Sequence, residues 1–225
     1  MGKVHPAHAR RIPDIHKTNE LVDHAPKQHL LSWGLTLLVT AIAAIIRWPR
    51  LGIPEDVVFD ETYYVKDSLA LLSFGHDRKV IEGADAALLA SNGENFQSIF
   101  TDAASYIVHP PVGKWVIASG EAIFGATPFS WLIASAILGI LSVLLTARIA
   151  RRLTNSNFIG TVAGLLLALD GLHIAMSRTA LLDTSLSFFV LCAFGFLIID
   201  RDSVNSGESK RWRWAMVIAL GLACA

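Results

Sequence analysis

Apolar runs close to the length that crosses a lipid bilayer recur along this chain of 225 residues. Hydrophobic residues make up 53% of the sequence and charged residues 17%, so it is more apolar and less charged than an average soluble domain. Backbone polar groups inside a bilayer must be satisfied within the chain, and helices achieve this. The sequence therefore predicts an all-α integral membrane protein with several spans.

Polar stretches separate these runs and divide the chain into segments. Spans are predicted at 30–46, 129–147, 158–177 and 180–199, with the start of another at 214–225. The polar segments are a tail at 1–29, a loop at 47–128, a turn at 148–157 and a loop at 200–213. Within the 47–128 loop, the short apolar stretch 112–124 contains Lys114 and Glu121, which is typical of a helix lying at the membrane interface. The last run is cut off within a helix, so we expect an N-terminal fragment of a longer protein.

The distribution of basic residues predicts the orientation. Of the 19 Lys and Arg residues, 12 lie in the 1–29 tail, the 148–157 turn and the 200–213 loop, and such an excess marks the cytoplasmic side. The N-terminus is therefore expected in the cytoplasm and the 47–128 loop outside the cell membrane. The formal net charge is zero, which gives no electrostatic reason to expect a nucleic-acid partner.

The external loop carries the first candidate site, the adjacent carboxylates Asp60 and Glu61 beside Tyr63 and Tyr64. A carboxylate desolvated by aromatic neighbours can accept a proton near neutral pH. Adjacent acidic residues are also typical of an ordinary solvated loop, so this pattern by itself leaves both interpretations open.

Two further groups of ionisable residues lie near predicted membrane surfaces. His109 and Lys114 flank a Pro-Pro pair that favours a helix start, and both cations are placed to meet a lipid phosphate. The second group surrounds the turn between two spans, where charged groups face a cavity or each other; it comprises Asp170, His173, Arg178 and Asp183. Within it, Arg178 and Asp183 either pair across the turn or contact a substrate.

Three segments together resemble the successive signatures of the protein O-mannosyltransferases, most closely the bacterial, actinobacterial-type branch. They are FDETYY at 59–64, HPPVGK at 109–114 and SRTALLDTSLSFF at 177–189. Their order and spacing agree with that family, and the resemblance covers about residues 48–200. It implies a multi-span glycosyltransferase of the GT-C architecture.

The resemblance also implies the reaction and its partners. Polyprenyl-phosphate mannose is the implied donor, and Ser or Thr hydroxyls of secreted or membrane proteins are the implied acceptors, at the outer face of the membrane. Asp60 is implied as the catalytic base, with Glu61, His109, Lys114, Arg178 and Asp183 as substrate contacts. Cationic side chains would neutralise the leaving phosphate, so no metal or other cofactor is expected. Membrane lipid and the secretion machinery are further expected partners.

One position departs from the family pattern. The family has an Arg three residues before a Ser-Ala-x-x-Gly stretch, and Leu132 stands there, ahead of Ser135–Gly139. We expect a nearby cation to replace that Arg.

Two alternatives remain. A related GT-C glycosyltransferase with a lipid or polysaccharide acceptor would keep the architecture and the external acidic site. A transporter or scaffold would use Asp60 and Asp183 as ion or structural sites. The carboxylate-rich loop directly after the first span disfavours the second alternative, as does the lack of matching helix breaks in two halves.

Overall fold

A computed structural model describes residues 15–205 and 211–225, with side-chain surroundings described for 29–203 and 211–225. The helices are α1 (Ile15–Arg47), α2 (Glu61–Phe74), α3 (Ala84–Ser91), α4 (Pro111–Phe124), α5 (Pro128–Thr154), α6 (Asn157–Leu169), α7 (Gly171–Met176), α8 (Leu182–Asn205) and α9 (Arg211–Cys224). A short 3-10 turn at Phe96–Ile99 precedes the second of two strands, β1 (Arg78–Val80) and β2 (Phe100–Ala104), which pair antiparallel.

Three helical segments are long and apolar enough to cross a membrane. They are His29–Arg47 within α1, Pro128–Thr154 and Leu182–Ser203. The helix α6 is apolar but shorter. The predicted all-α membrane class is therefore confirmed, and the short antiparallel pair β1–β2 is the one sheet in the described part of the chain.

Helix ends differ from the predicted boundaries at several points. The helix α1 begins at Ile15, within the predicted 1–29 tail, whose residues 1–14 lie outside the described part. The predicted 148–157 turn is helical up to Thr154, and Asn155 ends α5 with a left-handed φ of 52°. Arg is a good helix former and Asn tolerates the left-handed conformation, so the basic cluster continues the helix.

The predicted 158–177 span is broken into α6 and α7. Asp170 adopts an extended conformation between them, and its carboxylate accepts a hydrogen bond from the amide of His173 at 2.6 Å. An Asp in this position caps a new helix. The helix α8 continues past the predicted end at 199, into the predicted 200–213 loop, whose residues 206–210 lie outside the described part.

The long segment between α1 and α5 folds onto the start of α5. Val65 and Leu69 of α2, Ile117 of α4 and Trp131 of α5 share one buried apolar core. The helix α4 crosses α5 at Gly120, where a β-carbon would lie 2.0 Å from the carbonyl oxygen of Ser130. Glycine is needed for this close approach, which fixes α2 and α4 against the membrane-spanning helices.

Helix α4, which lies outside the membrane-spanning segments, carries a buried carboxyl group. Glu121 is 4% exposed, and neither of its carboxyl oxygens forms a hydrogen bond within the described part of the chain. Burial raises the pKa of Glu121 to about 8. The nearby hydroxyl of Ser68 opposes this only in part, because it already donates to the carbonyl oxygen of Val65. Glu121 therefore holds its proton at neutral pH.

We predict that the stability of the protein falls as the pH rises from about 4.5 to about 8. In this window the folded state holds a proton on Glu121 that the unfolded chain has released, so the free energy of unfolding decreases with pH. The substitution Glu121→Gln should flatten this decline. The measurement is the thermal unfolding midpoint of the full-length protein in detergent at pH 5 and pH 8.

Glu55→Gln is the matched control, because Glu55 is exposed, and this variant should keep the decline seen in the wild type. An equally steep decline in Glu121→Gln would show that another group causes it.

Candidate functional site

The ends of α1, α5, α7 and α8 meet at one end of the helix bundle. The rings of Trp48 and Phe129 are in edge contact with centroids 6.3 Å apart, which joins the end of α1 to the start of α5. The turn before α8 lies beside them, because Arg178 donates to the carbonyl oxygen of Arg47 at 2.6 Å. All of the predicted site residues lie at this end.

Asp60 stands immediately before α2. It is half-buried, and its side chain makes no capping hydrogen bond to the helix it precedes. The preceding Phe59 has a φ of 57° and is 74% exposed. The carboxylate of Asp60 is therefore not engaged in capping α2.

Glu61 holds the loop in place. Its side chain is buried, and one carboxylate oxygen accepts the amide of Ala180 at 2.7 Å while the other accepts the amide of Val58 at 2.9 Å. Burial raises the pKa of Glu61, and these two amide hydrogen bonds oppose the rise. The substrate contact predicted for Glu61 does not fit this position, because both oxygens already bind backbone amides. Glu61 instead fixes Asp60 relative to the turn before α8.

Tyr64 lies where the three predicted segments meet. Its hydroxyl is 3.3 Å from Nε2 of His109, and the two rings are in edge contact. Burial raises the pKa of Tyr64, and the negative charges of Asp60, Asp183 and Asp67 raise it further. The phenol therefore stays protonated among several carboxylates. The sequence predicted Tyr64 only as an aromatic neighbour of the two carboxylates, and the signal for a closer role was its position one helical turn after Asp60.

A cavity of about 450 Å³ opens beside Tyr64. His109 and Asp183 also line it, together with Leu186 and the end of α9. Both His109 and Asp183 are exposed. The structure thus brings together Asp60, His109 and Asp183, which come from three separate segments of the sequence.

Asp183 also borders a second, smaller cavity of about 260 Å³, which Asp170 and His173 line. These two residues were predicted to cluster with Asp183, and they lie on its other side, away from Tyr64 and His109. Three members of the predicted cluster therefore share one cavity, which Arg178 does not line, and Asp183 lies between two cavities.

Lys114 is placed differently from the prediction. It is 1% exposed, and its ammonium lies 2.9 Å from a carboxylate oxygen of Asp67 and 2.8 Å from one of Asp77. Burial alone would lower the pKa of Lys114, but hydrogen bonds and charges from both carboxylates outweigh it and raise the pKa. The predicted contact with a substrate phosphate is therefore not available, since Lys114 already neutralises two acidic residues within the loop.

Arg178 also forms hydrogen bonds within the protein. Besides the bond to Arg47, it donates to the carbonyl oxygens of Pro49 at 3.0 Å and Arg50 at 3.2 Å. In the described part of the chain no ion pair joins it to Asp183, so the predicted pair across the turn is not formed, and the substrate contact stays a prediction. A cation at the end of a helix satisfies carbonyls that have no intrahelical partner. Arg178 therefore fixes the end of α1.

Arg47 is a buried cation that the sequence analysis did not select. It is fully buried and donates to the hydroxyl of Ser177 at 3.0 Å and the carbonyl oxygen of Ala168 at 3.1 Å; its guanidinium also lies 2.7 Å from Nδ1 of His173. Its burial was not predicted, because an Arg after an apolar run is typical of a membrane boundary.

The position of Arg47 bears on the departure from the family pattern. A β-carbon on Gly139 would lie 3.6 Å from its Nε atom, so Arg47 lies against the Ser135–Gly139 stretch. Leu132 is 9% exposed and belongs to the apolar core instead. Arg47 is therefore the cation next to that stretch.

Among the described residues, no group of three or more His, Cys, Asp or Glu residues is arranged to hold a metal ion. The absence of a cofactor remains a prediction.

Comparison with known proteins places this chain in a family. Residues 98–225 match the family model described as dolichyl-phosphate-mannose-protein mannosyltransferase. The polyprenol-phosphate-mannose--protein mannosyltransferase of Mycobacterium tuberculosis is 36% identical over 91% of this chain and 40% of its own length. The enzyme of the same name in Mycolicibacterium smegmatis is 35% identical over 90% of this chain and 40% of its own length. The chain thus spans about two fifths of these curated relatives.

A shorter match joins the chain to an enzyme of different name. The undecaprenyl phosphate-alpha-4-amino-4-deoxy-L-arabinose arabinosyl transferase of Pseudomonas aeruginosa is 38% identical over 53% of this chain and 21% of its own length.

We predict that Lys114→Met destabilises the full-length protein by about 3–5 kcal/mol, because it leaves Asp67 and Asp77 buried without their cation. The measurement is the free energy of unfolding in detergent, from denaturant titration. Lys79→Met is the control, because Lys79 is exposed on β1, and its effect should stay within about 0.5 kcal/mol. A Lys114→Met variant of wild-type stability that lost activity would instead identify Lys114 as a substrate contact.

Proposed function

This chain belongs to the dolichyl-phosphate-mannose-protein mannosyltransferase family, and we propose that the protein transfers mannose from polyprenyl-phosphate mannose to Ser and Thr hydroxyls of secreted or membrane proteins. The names of the mycobacterial relatives support this donor and a protein acceptor. The observation that carries the proposal is that Tyr64, His109 and Asp183 line one cavity beside the helix ends, while the negative charges of Asp60 and Asp183 both act on the Tyr64 phenol.

Asp60 is the proposed catalytic base. Its carboxylate takes the proton of the acceptor hydroxyl while the hydroxyl oxygen forms a bond to the anomeric carbon of mannose. The bond between that carbon and the phosphate oxygen breaks, and polyprenyl phosphate leaves with the electron pair. The lack of a capping bond at Asp60 supports this role. Tyr64 would keep Asp60 in position, and Asp183 would bind hydroxyls of the sugar or the acceptor.

His109 is the proposed contact for the donor phosphate. Lys114 and Arg178 are held by carboxylates and by helix carbonyls, so of the three predicted cationic contacts only His109 lines the cavity. A histidine donating to the phosphate would stabilise the charge that develops on the leaving group without a metal ion.

The reaction is proposed at the outer face of the cell membrane, with the N-terminus in the cytoplasm. Arg148, Arg151, Arg152 and Arg213 are at the end of the bundle opposite to the cavity, since Arg148 donates to Ser32 near the start of the first span. An excess of basic residues there favours the cytoplasm for that end. Acceptors would meet the cavity as they emerge, which is the basis for proposing coupling to the secretion machinery.

The arabinosyl transferase match favours a second candidate. A related GT-C enzyme that uses a lipid or polysaccharide acceptor would keep the same donor class, cavity and base. The two candidates differ in the acceptor of the sugar, which is a protein for the first candidate and a lipid or polysaccharide for the second.

We predict that Asp60→Asn lowers transfer about 100-fold or more, because the substitution removes a general base and keeps the shape of the side chain. The assay uses membranes that contain the full-length protein, radiolabelled polyprenyl-phosphate mannose and a Ser/Thr/Pro-rich peptide. Asp56→Asn is the matched control, because Asp56 lies in the same loop, is exposed and bonds only to the adjacent amide of Val57 among the described contacts.

Expression and membrane insertion of both variants should match the wild type. Label on the peptide that survives Asp60→Asn would contradict the assignment of Asp60. Label in a lipid or polysaccharide fraction, with none on the peptide, would favour the second candidate.

A further inference from the structure

A cavity of about 320 Å³ lies between α1, α5 and α8, at the end of the bundle opposite to the candidate active site. Its walls are mainly apolar, with Leu145, Ile149, Phe196 and Ile199 among the lining residues. Three arginines and Trp33 complete the lining. A long apolar wall that ends in guanidinium groups matches the two parts of a charged lipid.

The three arginines share one face of α5. Arg148, Arg151 and Arg152 are spaced at i, i+3 and i+4, so their side chains are neighbours on the helix surface. Like charges at this spacing destabilise a helix unless an anion lies between them. The negative end of the helix dipole acts only within the last turn, which contains Arg151 and Arg152 but not Arg148.

Carboxylates neutralise little of this charge. Arg152 pairs with Asp202 at 2.8 Å, and Arg201 pairs with the same carboxylate at 2.9 Å. Arg151 donates to the neutral side-chain oxygen of Asn157 at 2.8 Å. In the part of the chain that the structure describes, neither Arg148 nor Arg151 forms an ion pair. Among the described side chains, Arg152 and Arg201 therefore share one carboxylate, and Arg148 and Arg151 have none.

Two contacts hold the guanidinium of Arg148 in place beside the cavity. Its guanidinium lies 3.9 Å from the ring centroid of Trp33 and donates one hydrogen bond, at 2.9 Å, to the hydroxyl of Ser32. The remaining donors of a guanidinium suit bidentate binding of a phosphate. A Trp at the end of a span is typical of the depth at which lipid headgroups lie.

We propose that this cavity binds an anionic glycerophospholipid, with its phosphodiester between Arg148 and Arg151 and an acyl chain along the apolar wall of α5 and α8. The charge excess and the apolar lining both favour this occupant over a soluble anion. Basic pockets between membrane helices at the cytoplasmic side are suited to such headgroups. The proposal does not depend on the reaction at the opposite end of the bundle.

The test uses the full-length protein, delipidated in a neutral detergent, and three additives: phosphatidylglycerol, phosphatidylcholine with the same acyl chains, and inorganic phosphate. A ligand that binds only the folded state raises the unfolding midpoint, and the rise grows with the ligand concentration relative to its Kd. We expect phosphatidylglycerol to raise the midpoint and to remain bound in native mass spectrometry. Phosphatidylcholine and inorganic phosphate should have little effect.

The double variant Arg148→Gln/Arg151→Gln should lower the affinity for phosphatidylglycerol at least about 10-fold, since it removes both charge-assisted contacts to the phosphate. Arg201→Gln is the matched control, because it removes a charge at the same end but does not line the cavity, and it should keep the wild-type affinity. If the double variant fails to fold, Arg148→Lys/Arg151→Lys keeps both charges and should bind with intermediate affinity.

Several outcomes would overturn the proposal. They are equal binding by wild type and double variant, equal effects of the two phospholipids, a response to inorganic phosphate that equals the response to lipid, and no lipid binding by the delipidated wild type. The last result would indicate that another part of the protein fills the cavity.

Discussion

A guanidinium buried among membrane helices is costly unless its donors are satisfied, and the way in which Arg47 is satisfied ties the bundle together. It stands at the end of α1 and binds the last carbonyls of α6, the side chain of His173 in α7 and the hydroxyl of Ser177. Gly139 of α5 makes room for this contact, because a β-carbon there would lie 2.3 Å from that of Ser177. A single side chain therefore joins the ends of α1, α6 and α7, and α5 packs against this contact at Gly139.

The turn that Arg47 holds also positions the candidate site. Ser177 is followed by Arg178, which binds the carbonyls at the end of α1, and by Ala180, whose amide binds Glu61. These contacts place the loop before α2 against the start of α8, so that Asp60 and Asp183 approach the same phenol. Glu61, Lys114 and Arg178 at this end form hydrogen bonds or ion pairs within the protein. His109 and Asp183 face the cavity.

The two ends of the bundle differ in chemistry. The cavity at the end with the candidate site is bordered by the carboxylate of Asp183, a phenol and an imidazole, and Asp60 lies near the phenol; such groups suit proton transfer from a hydroxyl. The opposite end carries arginines beside an apolar wall, which suits a phosphate headgroup and its acyl chain. Helix α5 connects both ends, since Phe129 contacts the site end and Arg148 lines the opposite cavity.

The sequence by itself determined the membrane class, the apolar segments and the three motifs that contain Asp60, His109 and Asp183. These depend on hydrophobic length and local pattern, which a linear chain displays directly. The sequence left open which charged residues are free to bind a substrate. Lys114, for example, pairs with Asp67 and Asp77, which are distant from it in the sequence, and no local spacing predicts these pairs. The tertiary structure decided that Lys114 and Arg178 are engaged, that Tyr64 joins three motifs and that Arg47 is buried. Burial and pairing are properties of the packed helices, and only packing brings these side chains within hydrogen-bonding distance.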